Sequence, residues 1–222
     1  MGAAAHREFK DRLFGQFARI GKALSSPRRL EIVDLLAQGE RTVEEIAGET
    51  FMSVASASQH LQALKAARMV EVRREGLYMH YRLADEEVFR TWQAVRALAE
   101  SRLTEVDGVV ESYLEDRNAL EAVDASDLME RLIEGSVVVL DVRPEREYRA
   151  GHIPGARSVP VDTLEAVLQT LPKDREIVAY CRGPYCVFSD EAIALLRSRG
   201  YRAYRLRQGL LDWRVAGMPV EG

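Results

Sequence analysis

The first half of the chain repeats its apolar residues at helical spacing. FKDRLFGQFARIGKAL places them every third or fourth position. SSPRRLEIVDLLAQG then restarts the pattern, with Ser26 set as an N-cap, Pro27 at the first helical position and Gly39 as the stop. TVEEIAGE adds a short third helix, since Thr42 followed three residues later by Glu45 makes a capping box. SVASASQHLQALKAARM, opened by Ser53, is a fourth; Val54, Ala57, Leu61 and Leu64 fall at core spacing, which turns Ser56, Gln59, His60 and Ala63 outward. The period then changes from 3.6 to 2. VEVRREGLYMHYRL reads as two β-rich runs joined by a charged turn at Gly76, a hairpin. From Asp85 to about Arg117 a long helical pattern returns, striped by Val88, Trp92, Val95, Ala99, Val106, Val110 and Tyr113, and a helix of that length needs a partner helix.

Past Asn118 the character changes. DLMERLIEG is helical, VVVLDVR an apolar strand, LEAVLQTL helical, EIVAY a second strand, and SDEAIALLRSRG a helix after a loop. Strands alternating with helices predict a parallel α/β sheet. The expected organisation is therefore two domains, a mainly α domain over 1–117 and an α/β domain over 118–222, with no internal repeat or low-complexity tract.

Composition narrows the function. A chain of 222 residues that is 47% apolar builds real cores. No apolar run approaches the ~18 residues of a membrane span. The start MGAAAHREF has neither a secretory apolar core nor a myristoylation serine or threonine, so the expected location is the cytoplasm, with no membrane partner. A net charge of −4 argues against indiscriminate coating of nucleic acid but leaves room for local basic surfaces. One lies between Phe51 and Arg82, where Lys65, Arg68, Arg73, Arg74 and Arg82 face only Glu71 and Glu75. The two cysteines, Cys181 and Cys186, share one loop. A pair cannot make a disulfide framework or fill a four-ligand zinc site, so reactive thiols are expected, and neither metal nor cofactor.

Helices, a helix-turn-helix and a hairpin wing form the pattern of a winged helix-turn-helix, whose second helix enters the major groove of duplex DNA. Ser56, Ser58, Gln59 and His60 are then the candidate base readers. Lys65 and Arg68 at the helix end, with Arg73 and Arg74 in the wing, are the candidate phosphate contacts. LSSPRRLEIVDLLAQGERTVEEIA and SASQHLQALKAARMVEVRREGLYMHYRL resemble the ArsR family of bacterial repressors over roughly residues 10–115. The resemblance implies a homodimer, paired through its first and last helices, on operator DNA. Many members sense metals, but RTVEEIAGE lacks their cysteine pair, and the segment from Asp85 to Arg117 has no histidine or cysteine.

LDVRPEREYRAGHIPGARSVPVD, followed by IVAYCRGPYCVFSDEAIALLRSRGYRAYRLRQGLLDWRVAGMPV, resembles a single rhodanese domain over about residues 124–222, closing on Gly209 and Trp213. By that resemblance Cys181 is the sulfur-carrying nucleophile. The residues agree. A loop between a buried strand and a helix, turned by Gly183 and Pro184, can aim backbone N–H groups at a thiolate, and Arg182 adds a positive charge. Gly183, Pro184, Tyr185 and Val187 are the candidate substrate-binding positions. Related loops carry arginine where Cys186 and Val187 stand, which argues against phosphate ester hydrolysis and favours a polysulfide or low-molecular-weight persulfide over thiosulfate. Cys186, five positions on, lies within reach of a disulfide with Cys181 and would resolve a persulfide or sulfenate there. Asp141, Arg143 and His152 are read as structural.

Two functions follow, a DNA-binding regulator that carries or senses sulfane sulfur or thiol oxidation at Cys181, or a sulfurtransferase in which the winged helix serves for dimerisation or targeting. A small sulfane-sulfur donor or acceptor thiol is the expected partner of either.

Overall fold

The computed structural model describes residues 3–113 and 122–222, which fall into two compact units, Met1–Leu98 and Ala99–Gly222. The expected boundary at residue 118 lies outside the described residues.

In the first unit, α1 (Ala3–Leu24) precedes α2 (Pro27–Ala37), which follows Ser26 with Pro27 at its start and ends just before Gly39. α3 (Val43–Glu49) carries the capping box: the Thr42 hydroxyl accepts from the Glu45 N–H, and the Glu45 carboxylate accepts from the Thr42 N–H. α4 (Val54–Ala66) is capped by Ser53, whose hydroxyl accepts from the Ser56 N–H. Ile32, Val33, Leu35 and Leu36 of α2, Ile46 and Ala47 of α3, and Ala57, Leu61 and Leu64 of α4 bury together beneath Tyr81. Val54 departs from its expected core place and is 46% exposed, because the first turn of α4 projects beyond the packed layer. The wing is the hairpin β2 (Val70–Glu75) and β3 (Tyr78–Leu83), turned at Gly76 with φ +60°, and β1 (Arg41–Thr42) adds an edge to give the order β1-β3-β2.

The helical pattern after Asp85 is not one helix. It divides into α5 (Glu86–Arg102) and α6 (Thr104–Tyr113), broken at Leu103. Glu105 and Asp107 fall in the first turn of α6, where negative side chains favour a helix start. The stripe Val88 to Tyr113 is therefore shared between two axes. The last residues of the expected pattern, to Arg117, lie outside the described residues.

The second unit holds a five-stranded, wholly parallel sheet in the order β4-β8-β7-β5-β6, built from Ala122–Val123, Val137–Asp141, Arg157–Ser158, Glu176–Tyr180 and Ala203–Leu206 in chain order. β5 is buried along its full length, as an apolar run between two covered faces must be. Val138, Leu140, Ile177 and Ala179 point to one face, under α10 (Val187–Ser198) and the helical turns of 161–170 that replace the single helix expected from LEAVLQTL. Val137, Val139, Val178 and Tyr180 point to the other, under α7 (Ala125–Glu134) and α11 (Leu210–Val215). This alternation is the period-2 geometry of strands. α8 (Glu145–Ala150) links β5 to β6, and α9 (Leu164–Val167) is the α-helical part of the 161–170 turns.

Candidate functional site

α4 presents Gln59 outward and exposed, with Gln62 and Ala55 along the same stripe. Ser56, Ser58, His60 and Ala63 are half-buried flanks rather than the centre of that face. The Ser56 hydroxyl points back to the Met52 sulfur at 3.8 Å. Gln62 escaped the sequence reading; its signal is the i, i+3 relation to Gln59, which puts two amides of base-reading type on one face. α4 ends with Met69 N–H donating to Leu64 O and Arg68 in the left-handed region at φ 60°. Glycine is the usual occupant of such a position. Arginine there keeps an exposed guanidinium at the tip of α4, beside the exposed Lys65.

In the wing, the Arg73 guanidinium grips Glu40 on the chain before β1 and Glu75 on its own strand. The reason is register, for Arg73 lies opposite His80, and the Nδ1 of His80 stands 3.5 Å from Glu40. The hydrogen-bonded guanidinium holds both carboxyls below the usual carboxylate range. Arg82 is likewise paired, with Glu71. Among the described residues Lys65, Arg68 and Arg74 form no ion pair, and Arg74 donates to Gly76 O at 3.1 Å. The basic surface is these three.

In the second unit Cys181 follows the carboxyl end of β7 and is 2% exposed. Cys186 is the N-cap residue of α10. The Cα atoms stand 6.2 Å apart and the two sulfurs are joined as a disulfide. The loop between them is closed by Cys186 N–H donating to Gly183 O at 3.2 Å. Pro184 and Tyr185 form its turn, and Tyr185 and Val187 leave it 43% and 42% exposed.

Arg182 forks onto Glu147 of α8, with Nε 3.1 Å from each carboxylate oxygen, and its guanidinium carbon lies 5.9 Å from the Phe188 ring. Glu147 is fully buried, and a buried carboxylate needs such a counter-charge. Nothing in EREYRAGHIPGA distinguishes Glu147 from its solvated neighbours Glu145 and Arg149, so this residue was not legible beforehand. The loop also rests on Gly209. A Cβ there would sit 2.1 Å from Arg182 O and 2.6 Å from Gly183 Cα. With φ −89°, glycine serves the close approach of backbones, not a special dihedral.

Below the loop, Tyr180 Oη donates to Asp141 at 2.6 Å and accepts from Ile153 N–H at 3.1 Å, while Arg143 binds Asp141 and donates to Gly151 O. Burial and then the neighbouring Asp141 push the Tyr180 hydroxyl far above its ordinary range. His152 stacks on Tyr148 at 3.8 Å and contacts Tyr148 O through Nδ1. The Asp141, Arg143 and Tyr180 bonds tie the ends of β5 and β7 to the 151–153 segment. Among the described residues no group of three His, Cys, Asp or Glu side chains is placed to hold a metal, and no helix is long and apolar enough to cross a membrane.

Comparison with known proteins gives each half its relatives. Residues 26–72 match the family "Bacterial regulatory protein, arsR family", and residues 124–216 match the rhodanese-like domain. The HTH-type transcriptional regulator Rv0324 of Mycobacterium tuberculosis is 45% identical over 218 residues, covering 98% of this chain and 96% of that protein. A sulfurtransferase of Allochromatium vinosum is 34% identical over 100 residues, 44% of this chain and 92% of its own. Among solved structures, a homodimeric winged helix-turn-helix DNA-binding domain from Mycobacterium bovis, described as a possible ArsR-family regulator, is 52% identical with TM-score 0.40, covering 42% of this chain and 87% of that one.

Proposed function

Because the chain belongs to the ArsR-family HTH-type transcriptional regulators that carry a rhodanese-like domain, we propose that it binds operator DNA as a homodimer and that the Cys181–Cys186 pair is its sensing element. The observation that carries the reading is the disulfide itself, which links the end of β7 to the first residue before α10. Its formation or reduction changes the constraint on a loop bounded by two rigid elements. The soft reactive groups of the chain are concentrated there, since no other cysteine exists in the sequence.

The pairing surface is supported by α1. Phe9, Leu13, Phe14, Phe17 and Ile20 leave a 22-residue helix with an exposed apolar stripe, and α1 buries only Ala23 and Leu24 within its own chain. A second copy is the occupant the family pattern implies. On a two-fold site, Gln59 and Gln62 would read base edges, with Lys65, Arg68 and Arg74 on phosphates.

Sulfane sulfur enters through the same thiols. The Cys181 thiolate would take the outer sulfur of a polysulfide or small persulfide and expel the shortened polysulfide or the thiolate; the Cys186 thiolate would then attack Cys181 Sγ, forming the disulfide and expelling hydrosulfide. Coupling of about 1 to 3 kcal/mol between loop and DNA surface would change operator affinity by roughly 5- to 150-fold, and the reciprocal effect of operator on the thiol equilibrium must be the same. The test is a titration of operator DNA with the dithiol, disulfide and polysulfide-treated forms of wild type, Cys181→Ser and Cys186→Ser. Superimposable wild-type curves would refute the sensing role. A second reading, sulfur transfer as the main activity, draws on the likeness of the second half to a sulfurtransferase. It requires a persulfide on Cys181 that turns over to an acceptor thiol, and it fails if reduced protein loads sulfur once and does not release it.

A further inference from the structure

The rhodanese-like unit has an apolar cleft that its sulfur chemistry leaves unassigned. Within Ala99–Gly222, an open cleft of about 710 Å³ lies between Leu103, Val106, Val109 and Val110 on one wall and Tyr185 and Val187 on the other. That volume is in the range of small-molecule sites. Tyr185 and Val187 are the two sequence neighbours of Cys186, so the wall of the cleft is the rim of the disulfide. The Tyr185 hydroxyl donates to Glu100 at 2.7 Å, which holds the ring in that wall. Leu103, Val109 and Tyr113 are 51%, 59% and 84% exposed, so apolar side chains are presented to solvent where the disulfide is.

We propose that this cleft binds a neutral, apolar thiol and that this thiol reduces the disulfide by attack at Cys186. The proposal rests on the thiol-sensing reading and names its reductant class. Two observations set the direction. Cys181 is 2% exposed, whereas Cys186 is only partly buried and flanked by the exposed cleft residues. The one charged residue of the lining is Glu105, an acid. A thiol bearing carboxylates or a sulfonate would meet carbon walls and a like charge there, whereas an alkyl or aryl chain would lose water on both sides.

The chemistry balances with the thiol as the only reductant. The thiol gives its proton to solvent, and its thiolate attacks Cys186 Sγ. The new S–S bond forms as the bond to Cys181 breaks, and the electron pair leaves on Cys181 as thiolate. A second equivalent displaces the first from Cys186, releasing the external disulfide and the Cys186 thiolate, and both protein thiolates recover protons from solvent. Two electrons pass from two thiols to the protein disulfide.

The test uses the full-length disulfide form and measures its reduction rate by ethanethiol, butanethiol and hexanethiol, beside 2-mercaptoethanesulfonate and glutathione, all compared at equal thiolate concentration. The expected result is saturation with the alkyl thiols and a two- to fourfold gain per methylene, the magnitude of apolar burial, with no saturation for the charged pair. Val109→Asp and Leu103→Ser, both at exposed positions, should flatten the alkyl series and leave the glutathione rate within about twofold. Acid-quenched wild-type reactions should carry the alkyl adduct on Cys186. An adduct on Cys181, or a flat alkyl series in wild type, overturns the proposal. A flat series whose rates rise on dilution would show a second copy seated in the cleft, and also overturns it. Operator affinity is read in parallel. Alkyl selectivity with unchanged operator affinity would refute the sensing reading alone, and altered affinity without selectivity would refute the cleft alone.

Discussion

Replacing Gly209 with alanine adds one methyl group at the closest backbone approach on the cysteine loop. The added Cβ would meet Arg182 O at 2.1 Å, Arg182 C at 2.4 Å and Gly183 Cα at 2.6 Å. All three are backbone atoms, so no side-chain rotation relieves the clash. Restoring ordinary contact with the carbonyl oxygen needs about 1.3 Å of movement. The loop resists it from three sides. Arg182 is clamped by the buried Glu147, Cys181 O accepts from Leu210 N–H at 3.4 Å, and Cys186 is bonded to Cys181. Overpacking of this kind costs about 1 to 3 kcal/mol, and the backbone origin of the clash places the expectation in the upper half of that range. Each unit has one tryptophan, Trp92 in the first and Trp213, fully buried on α11, in the second. Urea unfolding in a Trp92→Phe background therefore follows the second unit alone. Gly108→Ala is the control, since a Cβ there meets nothing within 4 Å and the residue lies inside α6; it should be neutral or stabilising by up to about 1 kcal/mol. An unfolding midpoint of Gly209→Ala equal to that of wild type would refute the claim that the loop is pressed against this residue.

Arg68→Gly should stabilise the first unit by about 1 kcal/mol by relieving the left-handed arginine, while weakening operator binding; a melt and a DNA titration on the same variant check both signs. Lys65→Gln and Arg74→Gln should each lower the salt slope of DNA binding by about 1, whereas Arg73→Gln, which releases Glu40 and Glu75, should leave the slope nearly unchanged; equal effects of all three would contradict the ion-pair assignment. Gln62→Ala should relax base preference at about 1 to 3 kcal/mol, like Gln59→Ala, in a selection from random sequence. The wing cluster should be acid-sensitive. Glu40 and Glu75 have lowered folded values, so the folded state binds fewer protons, stability rises with pH, and the cluster's contribution is full above the ordinary 4.5 and lost as pH falls below it. Acid unfolding of wild type against Arg73→Gln should show curves that separate above pH 5 and converge below the lowered range.

The elements whose identity depends on neighbours in sequence could be read from the chain alone. The Thr42–Glu45 capping box, the Ser53 cap, the Pro27 helix start and the Gly76 hairpin are local bonds or local dihedrals, and each appears in the structure as the residues imply. The apolar VVVL run likewise implied a strand covered on both faces. The placement of the two cysteines in one short loop was visible as well, because five residues of chain bound their separation. What tertiary structure decided was the partner of each charge. Arg73 and Arg182 were candidates for phosphate and sulfur because a guanidinium in sequence has no visible counter-ion. Their counter-ions, Glu40 and Glu147, stand 33 and 35 residues earlier in the chain and arrive only when the wing folds against the turn before β1 and α8 packs beneath the β7 loop. Why Gly209 must lack a side chain and which cysteine is covered share that origin. They depend on distances of a few ångströms between segments far apart in sequence, and no periodicity in the chain encodes them.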